Sequence, residues 1–200
     1  MNPYFLLSIA WIFFYALHSF MANSYIKSRV ENVLKSHYRF YRLAFNFISI
    51  LLFAGILWFQ FSIPEQYFLS VNLYTQLAGG IIFLAGTVLL LIAFSSFNKL
   101  EFAGIEQLNS TGSEQAKAPE LITDSGMYAY VRHPLYFAVI LMFLGALLFR
   151  PTIAMLIFTG ITFIYLPIGV RLEEQKLIEE FGKSYIEYRR KVKMLIPFVF

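Results

Sequence analysis

Polar side chains stand at the ends of the last two apolar stretches of this 200-residue chain. Arg132 and His133 come just before the fourth apolar stretch, residues 135–149. Pro134 between them and this stretch suits the first turn of a helix because it lacks an N–H group. A helix N-terminus beside an arginine and a histidine attracts anions. Glu173 and Glu174 follow closely on the fifth apolar stretch, residues 152–170, so two carboxylates stand at its C-terminal end.

The fourth and fifth stretches are predicted to form a tight antiparallel hairpin, because only Arg150 and Pro151 separate them. Their far ends then lie side by side, which brings the two polar groups and Arg171 together at one membrane border. Such a mixed site would match a zwitterionic cofactor that carries a carboxylate, an ammonium and a sulfonium group. Alternatively, the arginines anchor the helices at the border and the glutamates are their surface ion pairs.

Five apolar runs must position these side chains, and four of them approach or exceed the roughly 20 residues of a spanning helix. They predict an all-α integral membrane protein with about five transmembrane helices, a C-terminal hairpin of the fourth and fifth helices, and short cytoplasmic helices at residues 171–181 and 183–192. Gly182 separates these two short helices. The predicted spans are residues 4–22, 43–61, 73–97, 135–149 and 152–170.

The chain divides on this pattern into an N-terminal three-helix half (1–97), a cytoplasmic connector (98–131) and a catalytic hairpin with its tail (132–200). The first run is longer than a signal-peptide core and no small-x-small cleavage site follows it, so we expect it to be retained. Gly79, Gly80 and Gly86 in the third run are predicted to allow close helix contact, because no strand precedes them and the dinucleotide fingerprint is missing.

Composition and charge support a membrane location and exclude several function classes. Hydrophobic residues make up 58% of the chain and charged residues only 14%, more apolar surface than a soluble domain of this size could bury. No cysteine is present, which excludes disulfides and thiolate sites, and no metal is predicted. Basic residues fall in the first loop, the third loop and the tail, which predicts an external N-terminus and a cytoplasmic C-terminus. Nucleic acid is not an expected partner, because aromatic residues do not cluster with the basic ones.

Two sequence blocks resemble the isoprenylcysteine carboxyl methyltransferase and phospholipid methyltransferase superfamily. The first is Arg-His-Pro-Leu-Tyr at residues 132–136, and the second runs from Arg171-Leu-Glu-Glu-Gln-Lys-Leu through Phe-Gly-Lys-Ser-Tyr at 181–185 to Tyr188 and Pro197. The resemblance implies a membrane-embedded S-adenosyl-L-methionine site. The distribution of basic residues places that site on the cytoplasmic side, and we expect the membrane to be a bacterial inner membrane. The residues predicted to bind the cofactor, by motif or by charge, are Gly126, Met127, Tyr128, Arg132, His133, Pro134, Tyr136, Arg171, Glu173 and Glu174.

The N-terminal half resembles one branch of that superfamily, which holds methanethiol S-methyltransferases and NnrU-like membrane proteins. This likeness rests on residues 16–22, 41–46 and 98–107. It implies S-methylation of a small thiol, with the lipid bilayer as the other partner. Candidates for taking the thiol proton or orienting the acceptor are His18, Glu101, Tyr185 and Arg189. A histidine inside a membrane span is costly enough to suggest a function, although His18 could instead be hydrogen-bonded to a neighbouring helix, for example to Asn46.

Other functions remain open on the sequence alone. The same cofactor site would serve carboxyl methylation of an isoprenylcysteine or N-methylation of a lipid amine, in which only the acceptor differs. A non-catalytic NnrU-like protein that binds a partner or senses a ligand is a second class. A third is a nicotinamide-dependent sterol-type reductase, although 200 residues is short for such an enzyme.

Overall fold

The computed structural model describes residues 1–95, 103, 105 and 126–195. Within them, the helices are α1 Pro3–Ala22, α2 Ser24–Leu34, α3 Tyr41–Ser62, α4 Leu73–Ser95, α5 Pro134–Phe149, α6 Ile153–Phe181 and α7 Lys183–Lys191. Short 3-10 helices occupy Lys35–Phe40 and Gly126–Ala129. The predicted all-α membrane fold is confirmed.

Four helical stretches are long and apolar enough to cross a membrane, namely Pro3–Ala22, Ser24–Ser62, Leu73–Ser95 and Ile153–Phe181. The remaining predicted span, Pro134–Phe149, is a shorter apolar helix of 16 residues. The chain is therefore a multi-pass membrane protein. Residues 96–97, at the end of the third predicted span, and most of the predicted connector lie outside the described residues.

The described residues fall into two compact units. The first contains residues 1–64 together with Ala103 and Ile105, and the second contains residues 65–95 and 126–195. The third long helix, α4, thus belongs to the same unit as the C-terminal hairpin, whereas the sequence pattern placed it in the N-terminal half. The predicted functional division at residue 97 stays a prediction.

In the first unit, α1 and α3 are joined by a buried polar contact. Asn2 caps α1 by accepting a hydrogen bond from the Tyr4 N–H, and Pro3 occupies the first turn. Trp11 is buried on α1, and its Nε1–H donates to Gln60 Oε1 on α3 at 3.0 Å. Because apolar surroundings offer no competing partner, such a bond fixes the facing sides of the two helices.

The segment between the first two spans was predicted only as a loop, but it is largely helical, since α2 and the 3-10 helix at Lys35–Phe40 occupy most of it. Asn23 caps α2 by accepting hydrogen bonds from two backbone N–H groups, those of Tyr25 and Ile26. The apolar periodicity of α2 is short and interrupted by charged residues, which explains why hydropathy alone did not reveal it.

In the second unit, the hairpin of α5 and α6 forms as predicted. The α5 helix ends at Phe149, and Thr152 caps α6 by accepting a hydrogen bond from the Met155 N–H at 3.2 Å. The rings of Phe143 and Phe158 pack with centroids 4.6 Å apart. The loop before α4 also contacts the turn, because Phe68 N–H donates to Pro151 O.

The α6 helix does not stop at the end of the fifth apolar run but continues for 29 residues to Phe181. At about 1.5 Å per residue this is roughly 44 Å, longer than the roughly 30 Å of bilayer hydrocarbon. The polar end of α6, residues 171–181, therefore extends beyond the apolar layer. It continues the same helix, whereas the sequence predicted a separate helix there. Gly182, with a φ of +56°, ends α6 and allows α7 to start in a new direction.

Glycines bring α4 and α5 into close backbone contact. A Cβ atom built on Gly79 would lie 2.5 Å from Phe149 N and 2.7 Å from Gly145 O, and one on Gly86 would lie 2.6 Å from Met142 N. Atoms cannot approach so closely, so these positions require glycine. The prediction that Gly79 and Gly86 permit helix contact is confirmed, and α5, which leads from the polar border, is held against α4.

We expect Gly79→Ala to lower the melting temperature of the detergent-purified protein, with a cost of about 1–3 kcal/mol from overpacking. Gly160→Ala is the matched control, because a Cβ atom there meets nothing within 4 Å and alanine favours the helix. Thermal unfolding followed by tryptophan fluorescence measures both variants. Equal melting temperatures would contradict close packing at Gly79.

Candidate functional site

The residues that lead into α5 are paired with the tail that follows α7. Val131 and Lys193 form a parallel bridge, in which the Arg132 N–H donates to Lys193 O at 2.8 Å. One residue further, the His133 N–H donates to Met194 O at 3.1 Å. The tail therefore returns to the start of the hairpin, and Val131 and His133 are buried beneath it.

Glu174 lies at the centre of the polar side chains, and its side chain is only 8% exposed. Arg132 Nε donates to Glu174 Oε1 at 2.8 Å, and Arg132 Nη2 lies 2.7 Å from the same oxygen. A buried carboxylate without a partner would be expensive, because it loses its hydration. The arginine offsets that cost with two charged contacts at short range.

His133 lies between the two carboxylates that were predicted to approach it. Its Nε2 is 3.4 Å from Glu174 Oε1, and its Nδ1 is 3.7 Å from Glu173 Oε2. The histidine is buried, whereas the Glu173 side chain is 44% exposed. Tyr136 completes this side, with its ring perpendicular to the histidine ring. The Glu173 side chain is thus accessible from solvent, whereas that of Glu174 is not.

Tyr185 and Arg189 approach Glu174 from α7. The Tyr185 hydroxyl is 3.5 Å from Glu174 Oε1, and Arg189 Nη1 is 3.6 Å from Glu174 Oε2. Tyr185 is buried and Arg189 is half-exposed. We refer to Glu174 with Arg132, His133, Tyr185 and Arg189 as the Glu174 cluster.

The protonation of Tyr185 limits what it can do. Burial, and after it the negative charge of Glu174, raises the pKa of Tyr185 above the ordinary value for a phenol. The hydroxyl therefore stays protonated at neutral pH. It can donate a hydrogen bond and orient a ligand, but it cannot act as a phenolate base.

The backbone at Gly126–Ala129 forms a 3-10 turn, and its first residue has a φ of +60°. Tyr188 on α7 fixes this turn, because its buried hydroxyl donates to Tyr128 O at 2.7 Å. Burial, followed by the negative charge of Glu173, raises the pKa of Tyr128 to about 12. The predicted backbone segment, including Met127, is thus attached to α7 and lies near Glu173.

Two more predicted residues flank the cluster differently. Pro134 is buried at the first position of α5, where it starts the helix as expected. Arg171 is exposed on α6, one turn before Glu174. The structure thus brings Arg132, His133 and Glu174 into direct contact, while Arg171 lies on the surface at the same end of α6.

The two other candidate acceptor-side residues are His18 and Glu101. His18 belongs to the first unit, where Nδ1 is 3.3 Å from Ser49 Oγ and the ring packs against Phe45 with centroids 4.9 Å apart. Asn46, considered as a partner for His18, donates from Nδ2 to Ala103 O at 3.1 Å. Glu101 lies outside the described residues.

Sequence reasoning missed the contribution of backbone carbonyls. Arg132 Nη1 donates to Arg189 O at 3.0 Å and to Val192 O at 2.5 Å, and Tyr188 donates to the Tyr128 carbonyl. A carbonyl group belongs to every residue, so no residue type marks it in a sequence. The presence of Tyr188 in the second motif block was the one available signal.

Chemically, the site offers two carboxylates of different exposure, a buried histidine and hydroxyl donors at one end of a helical hairpin. Such a set binds cationic groups through the carboxylates and can orient polar ligand atoms through the hydroxyls. Among residues 1–95, 103, 105 and 126–195, no group of three or more histidine and acidic side chains has an arrangement suited to a metal ion.

The comparisons with known proteins place this site in a family context. The family described as phospholipid methyltransferase matches residues 74–184, which is more than half of the chain. The chain is 34% identical over 128 residues to a methanethiol S-methyltransferase of Crocosphaera subtropica, covering 64% of this chain and 49% of the relative. It is 37% identical over 114 residues to methanethiol S-methyltransferase 1 of Bradyrhizobium diazoefficiens, covering 56% and 39%.

A relative with another kind of acceptor also matches. The chain is 35% identical over 98 residues to the protein-S-isoprenylcysteine O-methyltransferase of Schizosaccharomyces pombe, covering 48% of this chain and 41% of the relative. The chain spans about half the length of the curated relatives it matches. No solved structure matches the chain significantly.

The matched residues 74–184 contain α4 except its first residue, the hairpin, and all the residues predicted to bind the cofactor, Glu174 among them. By this match, the chain belongs to the phospholipid methyltransferase family.

Proposed function

We propose that the protein is an S-adenosyl-L-methionine-dependent membrane methyltransferase that methylates the sulfur of a small thiol. The observation that carries this proposal is the buried Glu174 carboxylate, held by Arg132 beside His133, within the residues that match the methyltransferase family. The site lies at the end of two apolar helices, which fits a membrane enzyme better than a soluble one. The acceptor is small or lipophilic, since it must reach a site at the membrane border.

The donor groups present fit the proposed cofactor. Glu174 Oε2 is 3.6 Å from its nearest described cationic neighbour, Arg189 Nη1, so it retains acceptor capacity for an ammonium group. Glu173 is exposed enough to face a second cationic group. The N-terminus of α5 at His133 and Pro134 would attract the cofactor carboxylate.

Other residues would complete the cofactor site. Tyr136, beside His133, and Arg171, at the same end of α6, would contact polar groups of the cofactor. The backbone from Gly126 through Met127 to Tyr128 would pack against the remainder of the molecule, since Tyr188 holds this turn in place.

When bound, S-adenosyl-L-methionine supplies an electrophilic methyl group on a positively charged sulfur. A thiol held in line with that group would accept it at sulfur as the sulfonium C–S bond breaks, and a base of this chain would take the thiol proton. Protein residues would contribute by aligning the thiol and by excluding water. Glu173 and Glu174 would hold the positively charged sulfur through their carboxylates.

The proposed acceptor-side residues are His18, Glu101, Tyr185 and Arg189. Tyr185 remains protonated and a guanidinium group does not act as a base, so we assign orientation of the acceptor to Tyr185 and Arg189 and uptake of the proton to His18 or Glu101. His18 carries an imidazole ring, a group that can take up a proton, which suits it to this step.

A thiol is preferred as the acceptor because the relatives matched over the larger shares of this chain are methanethiol S-methyltransferases. The alternative of carboxyl methylation of an isoprenylcysteine is favoured by the match to the S. pombe protein. N-methylation of a lipid amine is the remaining alternative, since the matched family is described as phospholipid methyltransferase.

We further propose an external N-terminus and a cytoplasmic C-terminus in a bacterial inner membrane. Support for this orientation is the placement of the basic residues. Five lie between the first two spans and seven lie from Arg171 to the end of the chain, whereas Arg150 lies in the turn at the opposite end of the hairpin. The cofactor site would then face the compartment that supplies S-adenosyl-L-methionine.

The first test is calorimetric titration of the detergent-purified protein with S-adenosyl-L-methionine and with its demethylated product. We expect saturable binding of both, lost in His133→Ala because the buried ring lies between the two carboxylates. His37→Ala is the matched control, since His37 is exposed in the 3-10 helix Lys35–Phe40. No binding by the intact protein would refute the methyltransferase proposal.

Acceptor assays then separate the proposed substrates. Transfer of a radiolabelled methyl group is measured to methanethiol, to a farnesylcysteine analogue and to phosphatidylethanolamine. Labelled dimethyl sulfide is the expected product. Labelling of the farnesylcysteine analogue alone would replace the thiol by a carboxyl acceptor.

Glu174→Gln should weaken binding of S-adenosyl-L-methionine about ten-fold or more, because the neutral amide no longer attracts a cation, and ten-fold corresponds to about 1.4 kcal/mol. Glu179→Gln, an exposed position on the same helix, is the control and should bind normally. Circular dichroism checks that both variants keep their helices. Unchanged affinity in Glu174→Gln would remove Glu174 from the cofactor site.

His18→Ala should lower kcat much more than it weakens cofactor binding, because His18 is proposed to act on the acceptor. His37→Ala again serves as the control for loss of a histidine. Steady-state kinetics with the thiol and cofactor titration are measured on the same preparation. Normal turnover would make the contact between His18 and Ser49 a structural one.

A further inference from the structure

The Arg132 guanidinium is almost fully engaged with protein acceptors. Its side chain is 7% exposed, and four nitrogen–oxygen contacts of 2.5–3.0 Å join it to Glu174 Oε1, Arg189 O and Val192 O. A guanidinium carries five N–H groups, and these contacts occupy four of them. Little capacity remains for a bound ligand.

Two of these acceptors lie at the C-terminus of α7. The helix ends at Lys191 and Val192 is its C-cap, so Arg189 O and Val192 O belong to the last turn, whose carbonyl groups lack partners within a helix. A cation at this end is also favoured by the helix dipole. Arg132 therefore caps α7 although it lies 57 and 60 residues earlier in the chain.

The other acceptor determines how the Glu174 carboxylate is oriented. Arg132, His133 and Tyr185 all approach Oε1, at 2.7, 3.4 and 3.5 Å. Among the residues that the structure describes, Arg189 Nη1 approaches Oε2, at 3.6 Å, which is beyond ordinary hydrogen-bond distance. One oxygen thus fixes the carboxylate, and the other is left for a ligand.

We propose that Arg132 is a positioning residue that fastens α7 to the hairpin and turns Glu174 Oε2 towards the cationic groups of the cofactor. Arg132 acts through Glu174 and does not itself bind the cofactor, unlike the direct contact expected from the sequence. The inference rests on the proposed function for its ligand, whereas the fastening of α7 does not depend on that function.

Arg132→Lys is the informative substitution, because lysine keeps the charge but cannot form the planar fork that reaches three acceptors. The backbone pairing of Arg132 N–H with Lys193 O is unaffected by the side chain, so the variant should fold. Arg150→Lys, at the opposite end of the hairpin, is the matched control for an arginine-to-lysine exchange.

The first readout is the position of α7, measured by electron paramagnetic resonance. The chain has no cysteine, so Gln175→Cys and Lys191→Cys, both at exposed positions, introduce one pair of spin labels on α6 and at the end of α7. We expect a narrow distance distribution in the parent protein and in Arg150→Lys. Arg132→Lys should broaden it, and an unchanged distribution would overturn the fastening of α7.

The second readout is a double-mutant cycle on the dissociation constant of S-adenosyl-L-methionine. Arg132→Lys should weaken binding about ten-fold when Glu174 is present and less than about two-fold in the Glu174→Gln background. A residue that contacts the cofactor directly would weaken binding equally in both backgrounds, and this result would overturn the proposal.

The two readouts also separate this inference from the proposed function. If the parent protein binds no S-adenosyl-L-methionine, both the proposed function and the role of Arg132 towards that cofactor are refuted, while the spin-label distances still decide whether Arg132 holds α7. If the parent protein binds the cofactor and Arg132→Lys binds equally well, the proposed function stands and the role of Arg132 is refuted.

Discussion

The ion pair between Arg132 and Glu174 is the interaction on which the second unit depends. Both side chains are nearly buried, and removing one partner of such a pair typically costs about 3–5 kcal/mol because the other charge stays behind. The two residues are far apart in sequence, at the start of one helix and near the end of another. They can meet only if the intervening chain forms a hairpin of matched length, so the turn, the two helices and the tail are all constrained by this contact.

Each neighbouring element satisfies part of that constraint. The α6 helix must continue past its apolar portion, because after a break at residue 171 the helix would no longer fix the positions of Glu173 and Glu174. The α5 helix must be held in place, and the glycine contacts with α4 allow its backbone to approach closely. The tail must return to pair with residues 131–133, since this pairing buries the first turn of α5. The polar site is thus built by helix ends, while the apolar helices set their separation.

Local patterns in the sequence were sufficient for much of this arrangement. Hydropathy located the long helices, and the two-residue connection at Arg150 and Pro151 implied that the residues around His133 and Glu174 would converge. Longer-range features were not accessible. The capping of α7 by Arg132 uses backbone carbonyls, and hydropathy does not show that α6 continues without a break from its apolar portion into residues 171–181. Helicity at Ser24–Leu34 was hidden because the segment is short and polar.

The Glu174 carboxylate does not by itself determine the nature of the acceptor. A carboxylate that binds a cationic cofactor serves a thiol, a carboxyl or an amine acceptor equally well, because the transferred methyl group is the same in each case. Relatives named for a thiol acceptor and for an isoprenylcysteine acceptor both match this chain. The family match begins at residue 74, so residues 1–64 of the first unit, which include His18, lie before it. Those residues lie outside the part that the differently named relatives share as a family, and they include His18, which we propose to act on the acceptor; we therefore propose that determinants of the acceptor are to be sought among residues 1–64.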